Sequence, residues 1–248
     1  MKAGSTFALT ISALLLIAFG LLYSTERVNG AAEGTITGTV KLNGTPPKMK
    51  TIDMSKDPVC VKAHANNPAH LENVVVGPDG GLEYVVLYLS EGLPPAVANQ
   101  VPSTPQKYDQ KGCMYTPHVI GVDVDQKIEI TTSDPTTHNI HPLPKPGGPN
   151  IGWNKSQPPG APPITTSWKA EEVAVPIKCN IHPWMHGYHA VVKGPYAVSD
   201  EKGSYTINNV PPGNYTVTAW QEEYGTQTQK VTVAAGKPAT ADFTFKAK

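Results

Sequence analysis

The chain has 248 residues, and its 20 Lys+Arg are balanced by 20 Asp+Glu. That balance leaves no field to draw in nucleic acid or an anionic lipid surface, and Arg27 is the only guanidinium available for phosphate. Gly and Pro contribute 47 residues, well above the roughly 12% of an average protein, a bias against long helices and toward short strands joined by turns.

Residues 1–32 read as an export leader. Lys2 supplies the positive end, Phe7 to Leu22 is almost wholly apolar, and Gly30-Ala31-Ala32 offers small residues for cleavage before Glu33. The same run, left uncleaved, would serve as an N-terminal membrane anchor. Either way the expectation is an exported, periplasmic or extracytoplasmic protein. Without Lys2, Glu26 and Arg27 the remainder carries 18 basic and 19 acidic residues.

Past the leader the apolar periods are those of strands. Ile36, Val40 and Leu42 alternate with polar residues, Leu82 to Leu89 is apolar on both phases, and Ile128 to Thr132 follows. Pro142 to Pro163 holds eight prolines in 22 residues and predicts an ordered surface loop or lid. Val173 to Ile177, Tyr188 to Val192, Tyr205 to Val210, Tyr215 to Trp220, Val231 to Val233 and Ala241 to Phe245 continue the series. No segment has a helical period. The expected class is all-β, built from sandwiches.

Three cysteines and eight histidines carry the chemistry. Cys179-Asn180-Ile181-His182-Pro183-Trp184-Met185 places a thiolate, an imidazole and a thioether on one short loop, and His138 or His141 upstream offers a second imidazole. Val173, Val175, Ile177 and Cys179 share one phase of a strand, which aims the sulfur inward. Structural zinc sites use several Cys and His and scarcely any thioether, whereas two His, one Cys and a weak axial Met suit copper in both oxidation states. Cys60 and Cys113 predict a disulfide in an oxidising compartment. The competing reading is a second metal site, since His64 and His118 follow them closely. His118 reads as structural or solvated, and His186 and His189 as surface residues.

Cys179-x-x-His182-x-x-Met185 resembles the ligand loop of the cupredoxins, and its compact spacing, with Pro183 and Trp184, is most similar to that of amicyanin. Tyr115-x-Pro117-x-x-Ile120-x-Val122, then Ile128 to Asp134, then His138-Asn139-Ile140, resembles the run leading to the first copper histidine of that family. The resemblance spans about Tyr115 to Val192. It implies a Greek-key β-sandwich holding one mononuclear type 1 copper on His138, Cys179, His182 and Met185, with His141 as the alternative ligand. Asn139 would tie the two ligand loops together, Pro183 and Trp184 would form an apolar docking face, and the edge of His182 would be partly exposed as the electron's exit.

The C-terminal portion resembles a second family. Asp200-Glu201-Lys202-Gly203 and Pro212-Gly213-Asn214-Tyr215 are similar to turns of the carboxypeptidase-regulatory, transthyretin-like sandwich, and Gly34-x-Ile36-x-Gly38-x-Val40 to its opening strand. The implied organisation is a copper domain over 33–193, with its core at about 106–193, and a second β-sandwich over 194–248. Strands from 34–92 complete the second sandwich if the first is inserted in it; a simple tandem is the other arrangement.

These readings imply an electron carrier rather than an enzyme, exchanging one electron with a cytochrome, dehydrogenase or oxidase. Copper trafficking or storage, and a non-redox interaction module with a degenerate site, are the alternatives. No Ser/His/Asp arrangement or phosphate loop is visible in the sequence.

Overall fold

The computed structural model describes Met1 and residues 32–248; the leader reading falls on residues 2–31, outside the described residues. The first strand is β1 (Gly34–Asn43), followed by a largely irregular stretch that carries α1 (Pro58–Ala63). Then come β2 (Val86–Glu91), α2 (Pro95–Ala98), β3 (Gln106–Lys111), β4 (Met114–Thr116), β5 (Val119–Asp123), β6 (Ile128–Thr132) and β7 (His138–Pro142). The central part continues with β8 (Lys155–Gln157), β9 (Ile164–Thr166), β10 (Glu172–Lys178) and β11 (His186–Val192). The chain closes with β12 (Tyr196–Val198), β13 (Ser204–Val210), β14 (Gly213–Gln221), β15 (Gly225–Val233), β16 (Pro238–Thr240) and β17 (Phe243–Lys246). The protein is all-β, as its periods predict; the two helices, of six and four residues, are too short to show a helical period.

Two sheets, ordered β4-β3-β6-β9 and β5-β11-β10-β7-β8, close on an apolar cluster that includes Ile120, Ile128, Ile130, Ile140, Val175 and Ile177. The other two close on Ile36, Val40, Leu87, Ile207, Val217 and Phe245. In one of these β1 lies between β13 and β16, with β17 also pairing β1; in the other the order is β12-β2-β14-β15. Strands β1 and β2 are therefore inner strands of the C-terminal sandwich, and β3 to β11 lie between β2 and β12 in sequence. Gly38 permits the closest of these packings, because a Cβ there would stand 1.9 Å from the carbonyl oxygen of Ala241.

Strand phase directs the cysteine as expected, with one correction. Val175, Ile177 and Cys179 are buried on one face. Val173 leaves that phase because the β10–β11 register shifts between Glu172 and Val175, where Ala174 adopts φ +75°. Val173 packs instead against Val86, Val119 and Ala190, the small cluster where the two sandwiches meet. The predicted Pro-rich loop is ordered: Asn150 and Glu172 hold its base through a 2.9 Å hydrogen bond, and its β8 pairs with β7.

The nested pairing predicts that a 194–248 fragment, lacking β1 and β2, stays unfolded. Circular dichroism and amide dispersion check this; a dispersed spectrum from the fragment alone would contradict the pairing. A second expectation concerns the crossing from β11 to β12, where buried Asp123 accepts the Gly194 amide at 2.7 Å. Burial pushes Asp123 up from 3.8 to about 6, against the pull of that amide. The folded chain thus keeps a proton that the unfolded chain releases, and stability falls as pH rises from 3.8 to about 6. Asp123→Asn keeps the acceptor and removes the buried charge, so stability at pH 7 should rise by roughly 2 kcal/mol in urea denaturation, with no gain below the unfolded value.

Candidate metal centre

The site is assembled where β7 runs antiparallel to β10. Their register sets His141 opposite Lys178 and, continued, carries His138 and Asn139 alongside the loop that begins at Cys179. Alternation along β7 puts His138 and Ile140 inward. The loop from Cys179 to Met185 is closed by its own backbone: the Met185 amide donates to the His182 carbonyl at 2.9 Å, and the Cys179 amide to the Met185 carbonyl at 3.1 Å. Met185 is fully buried in the same apolar cluster.

One donor atom from each of His138, Cys179 and His182 lies within 4.8 Å of the other two. The Nδ1 atoms of the two histidines are 2.9 Å apart, and Cys179 Sγ is 3.9 Å from His182 Nδ1. Each remaining ring nitrogen faces a carboxylate: His138 Nε2 is 2.8 Å from Asp134 Oδ2, and His182 Nε2 is 3.0 Å from Asp57 Oδ2. Because a carboxylate accepts, both Nε2 atoms donate, which turns the two Nδ1 atoms toward each other. The pair of Nδ1 atoms and the sulfur are thus presented to a common cation, and the carboxylates are the outer partners that fix the orientation of metal-binding imidazoles.

The charges follow from this geometry. Burial alone would lower the His138 imidazolium, but the hydrogen bond to Asp134 and the adjacent Cys179 outweigh it and lift the value to about 9. Burial likewise opposes the Cys179 thiolate, whereas His138 and the amides of Asn139, His182 and Ile181 favour it, so the thiol is held below its ordinary value. Asp57 is drawn down to about 2: burial works against its charge, and His182, the Val59 amide, Thr136 and the Cys60 amide prevail. Asp134 is also lowered, by His138 and the amides of Cys113 and Gly112 acting against burial.

Asn139 ties the two loops. Its Oδ1 accepts from the Asn180 amide at 2.7 Å and the Ile181 amide at 3.3 Å and lies 3.3 Å from the sulfur, while its Nδ2 donates to Asn154. His141 lies outside the cluster, its Nδ1 3.0 Å from Asn180 Oδ1. Pro183 is exposed between buried His182 and half-buried Trp184. The expectation of an exposed His182 edge is corrected: the residue is 2% exposed, because Asp57 at the start of α1 covers its Nε2. Trp184 lies against it instead, ring centroids 5.1 Å apart.

Sequence reasoning missed both carboxylates. Asp57 precedes Pro58 and caps α1 by accepting the Val59 amide at 2.8 Å, a legible helix start, but its reach to His182 across 125 positions is not. Asp134 accepts the amides of Gly112 and Cys113, both at 2.7 Å, and holds Cys113 at φ +55°. Cys60 and Cys113 are joined as a disulfide, so the segment bearing Asp57 is linked covalently to the 112–113 turn whose amides hold Asp134, and Cys179 is the free cysteine among the described residues. His64 adds a second tie, its Nε2 donating to the Gly112 carbonyl at 2.7 Å. His189, expected on the surface, is wholly buried; it accepts from Trp168, and burial pushes it down to about 3, so it stays neutral.

Residues 191–246 match the family model of the carboxypeptidase regulatory-like domain. A comparison with curated proteins finds no match. Among solved structures, the chain is similar to a copper-containing nitrite reductase from Thermus scotoductus at 18% identity and TM-score 0.32, covering 41% of this chain and 27% of that one. It is also similar to a purple cupredoxin from Nitrosopumilus maritimus (17%, TM-score 0.29, covering 35% and 98%). Amicyanin from Paracoccus versutus gives 13% identity and TM-score 0.32, over 42% of this chain and 96% of that one. These scores are low, and the donor geometry stands without them.

The disulfide closes a sequence separation of 53, for which loop entropy gives about 4 kcal/mol. Cys60→Ser with Cys113→Ser should lower stability by about that amount in urea denaturation, and should also weaken metal uptake, because the Asp57 segment loses its covalent tie to the 112–113 turn whose amides hold Asp134. Unchanged uptake would separate the disulfide from the site.

Proposed function

We propose that this protein is an exported one-electron carrier in which His138, Cys179 and His182, with the thioether of Met185 as a weaker fourth donor, would hold a single copper ion. The convergence of two imidazole Nδ1 atoms and one cysteine sulfur in a buried pocket, each imidazole backed by a carboxylate, carries this reading. Two nitrogen donors, a thiolate and a thioether fit copper better than zinc or a hard cation. Bound there, copper would supply a one-electron couple between its two oxidation states.

The surrounding residues serve a carrier rather than a catalyst. Asp134 and Asp57 fix the ring orientations, Asn139 holds the 179–181 backbone, and the apolar cluster excludes water, so little has to move between states. A pocket so closed supports electron transfer over labile copper trafficking. With His182 covered, the half-buried Trp184 beside it is the route to the surface. Ile181, 49% exposed, and Pro183 flank it as an apolar docking face for a redox partner such as a cytochrome, dehydrogenase or oxidase.

Titration of the full chain with Cu(II) should give an intense visible charge-transfer band and a narrow copper hyperfine splitting, both lost in Cys179→Ser. A weakly coloured spectrum indifferent to that substitution would return the protein to a non-redox reading.

A further inference from the structure

A second cluster lies where the two sandwiches meet and shares no donor with the proposed copper ligands. His118 precedes β5, His186 opens β11, and Glu222 stands in the turn between β14 and β15. One donor atom from each lies within 4.8 Å of the other two. His118 is 1% exposed; its Nε2 is 2.5 Å from Glu222 Oε1, and its Nδ1, without a hydrogen-bond partner, is 3.9 Å from Glu72 Oε2. His186 Nδ1 must donate to the Trp184 carbonyl at 3.1 Å, which leaves a lone pair on Nε2. That atom is buried and unpartnered. The two imidazoles meet edge to face at 5.0 Å, with the Tyr84 and Tyr188 rings 5.5 and 6.1 Å from His118.

A proton on His118 would answer the two carboxylates but leave the His186 lone pair facing a dry interior without a donor. A cation answers all of them. We propose that His118, His186 and Glu222 form a second metal site for a divalent transition ion of the zinc class. In it Glu72 backs His118, and the ion clamps the β14–β15 turn to the copper-binding sandwich. Two imidazoles and a carboxylate oxygen, with no thiolate or thioether, are the donors such an ion takes. Tetrahedral bonds of about 2.0 Å hold donors roughly 3.3 Å apart, so His118 and Glu222 need to open by only about 1 Å to admit it. Asn73 steadies the carboxylate, its Nδ2 3.4 Å from Glu222 Oε2. Burial raises Glu72 above its ordinary value, Glu222 adds to the rise, and His118 opposes both.

The test loads the full chain with one equivalent of Cu(II), dialyses it against Zn(II), and counts both metals by mass spectrometry. One zinc per chain is expected, retained in Cys179→Ser and weakened at least about tenfold in His186→Gln and in Glu222→Gln, both of which keep their copper. Zinc should also raise the thermal midpoint of the wild type and not that of Glu222→Gln, a readout that needs no copper. Zinc lost with Cys179→Ser, zinc indifferent to both second-cluster substitutions, or no zinc retained by a folded wild type would each overturn the proposal. Failure of the copper spectrum alone would leave the zinc count to be judged by Glu222→Gln and His186→Gln.

Discussion

The structure turns on the cost of holding two imidazoles and a sulfur together in an apolar interior. Unpartnered, each such polar group would cost about 1–3 kcal/mol to bury, and a charge more. Here none is unpartnered. Asp134 and Asp57 take the outer nitrogens, the inner nitrogens lie 2.9 Å apart, and amides of the 139–182 region surround the sulfur. The favourable terms come from Asp134, four residues before His138, and from Asp57, 125 positions from His182; Cys60–Cys113 ties the Asp57 segment to the turn whose amides hold Asp134. The disulfide is thus part of the support for the ligands as well as a restraint on the unfolded chain.

The same arrangement explains why the site is buried more deeply than its ligand loop alone implies. In the Cys179–Met185 segment nothing requires His182 to be covered. The cover arrives with the 44–85 segment, whose short helix α1 presents Asp57 at its start. Helix start and imidazole share one carboxylate: Oδ1 takes the Val59 amide while Oδ2 takes His182 and Thr136. A side chain bonded on both oxygens has little freedom left, which makes it a firm lid.

Much of the architecture was legible in local patterns. The strands over Ile128–Thr132 and Tyr205–Val210 and the inward phase of Cys179 follow from period-two burial, whereas donor chemistry left His138 and His141 open and the choice of His138 came with the family resemblance. What stayed hidden is long-range. Val173 left its phase through a bulge at Ala174, a backbone choice that no apolar pattern encodes. Asp57 and Asp134 look like ordinary turn and cap residues until the fold brings them to His182 and His138. His118, His186 and Glu222 come from three elements of two sandwiches, and only the packing of the two sandwiches on the Val86, Val119 and Ala190 cluster sets them side by side.

That docking couples the two clusters mechanically. Met185 and His186 are consecutive: the first is buried within the sandwich that carries His138 and Cys179, and the second points its free nitrogen toward the junction at Glu222. Backbone bonds from Cys179 to Met185 and from Met185 to His182 leave this loop little slack, and the Trp184 carbonyl at its apex also fixes His186. A shift of β14 relative to β11 would therefore be felt at Met185 through a single peptide bond. The regulatory-like sandwich, read this way, is a rigid mount: its β14–β15 turn braces the one loop that supplies three of the four proposed copper ligands.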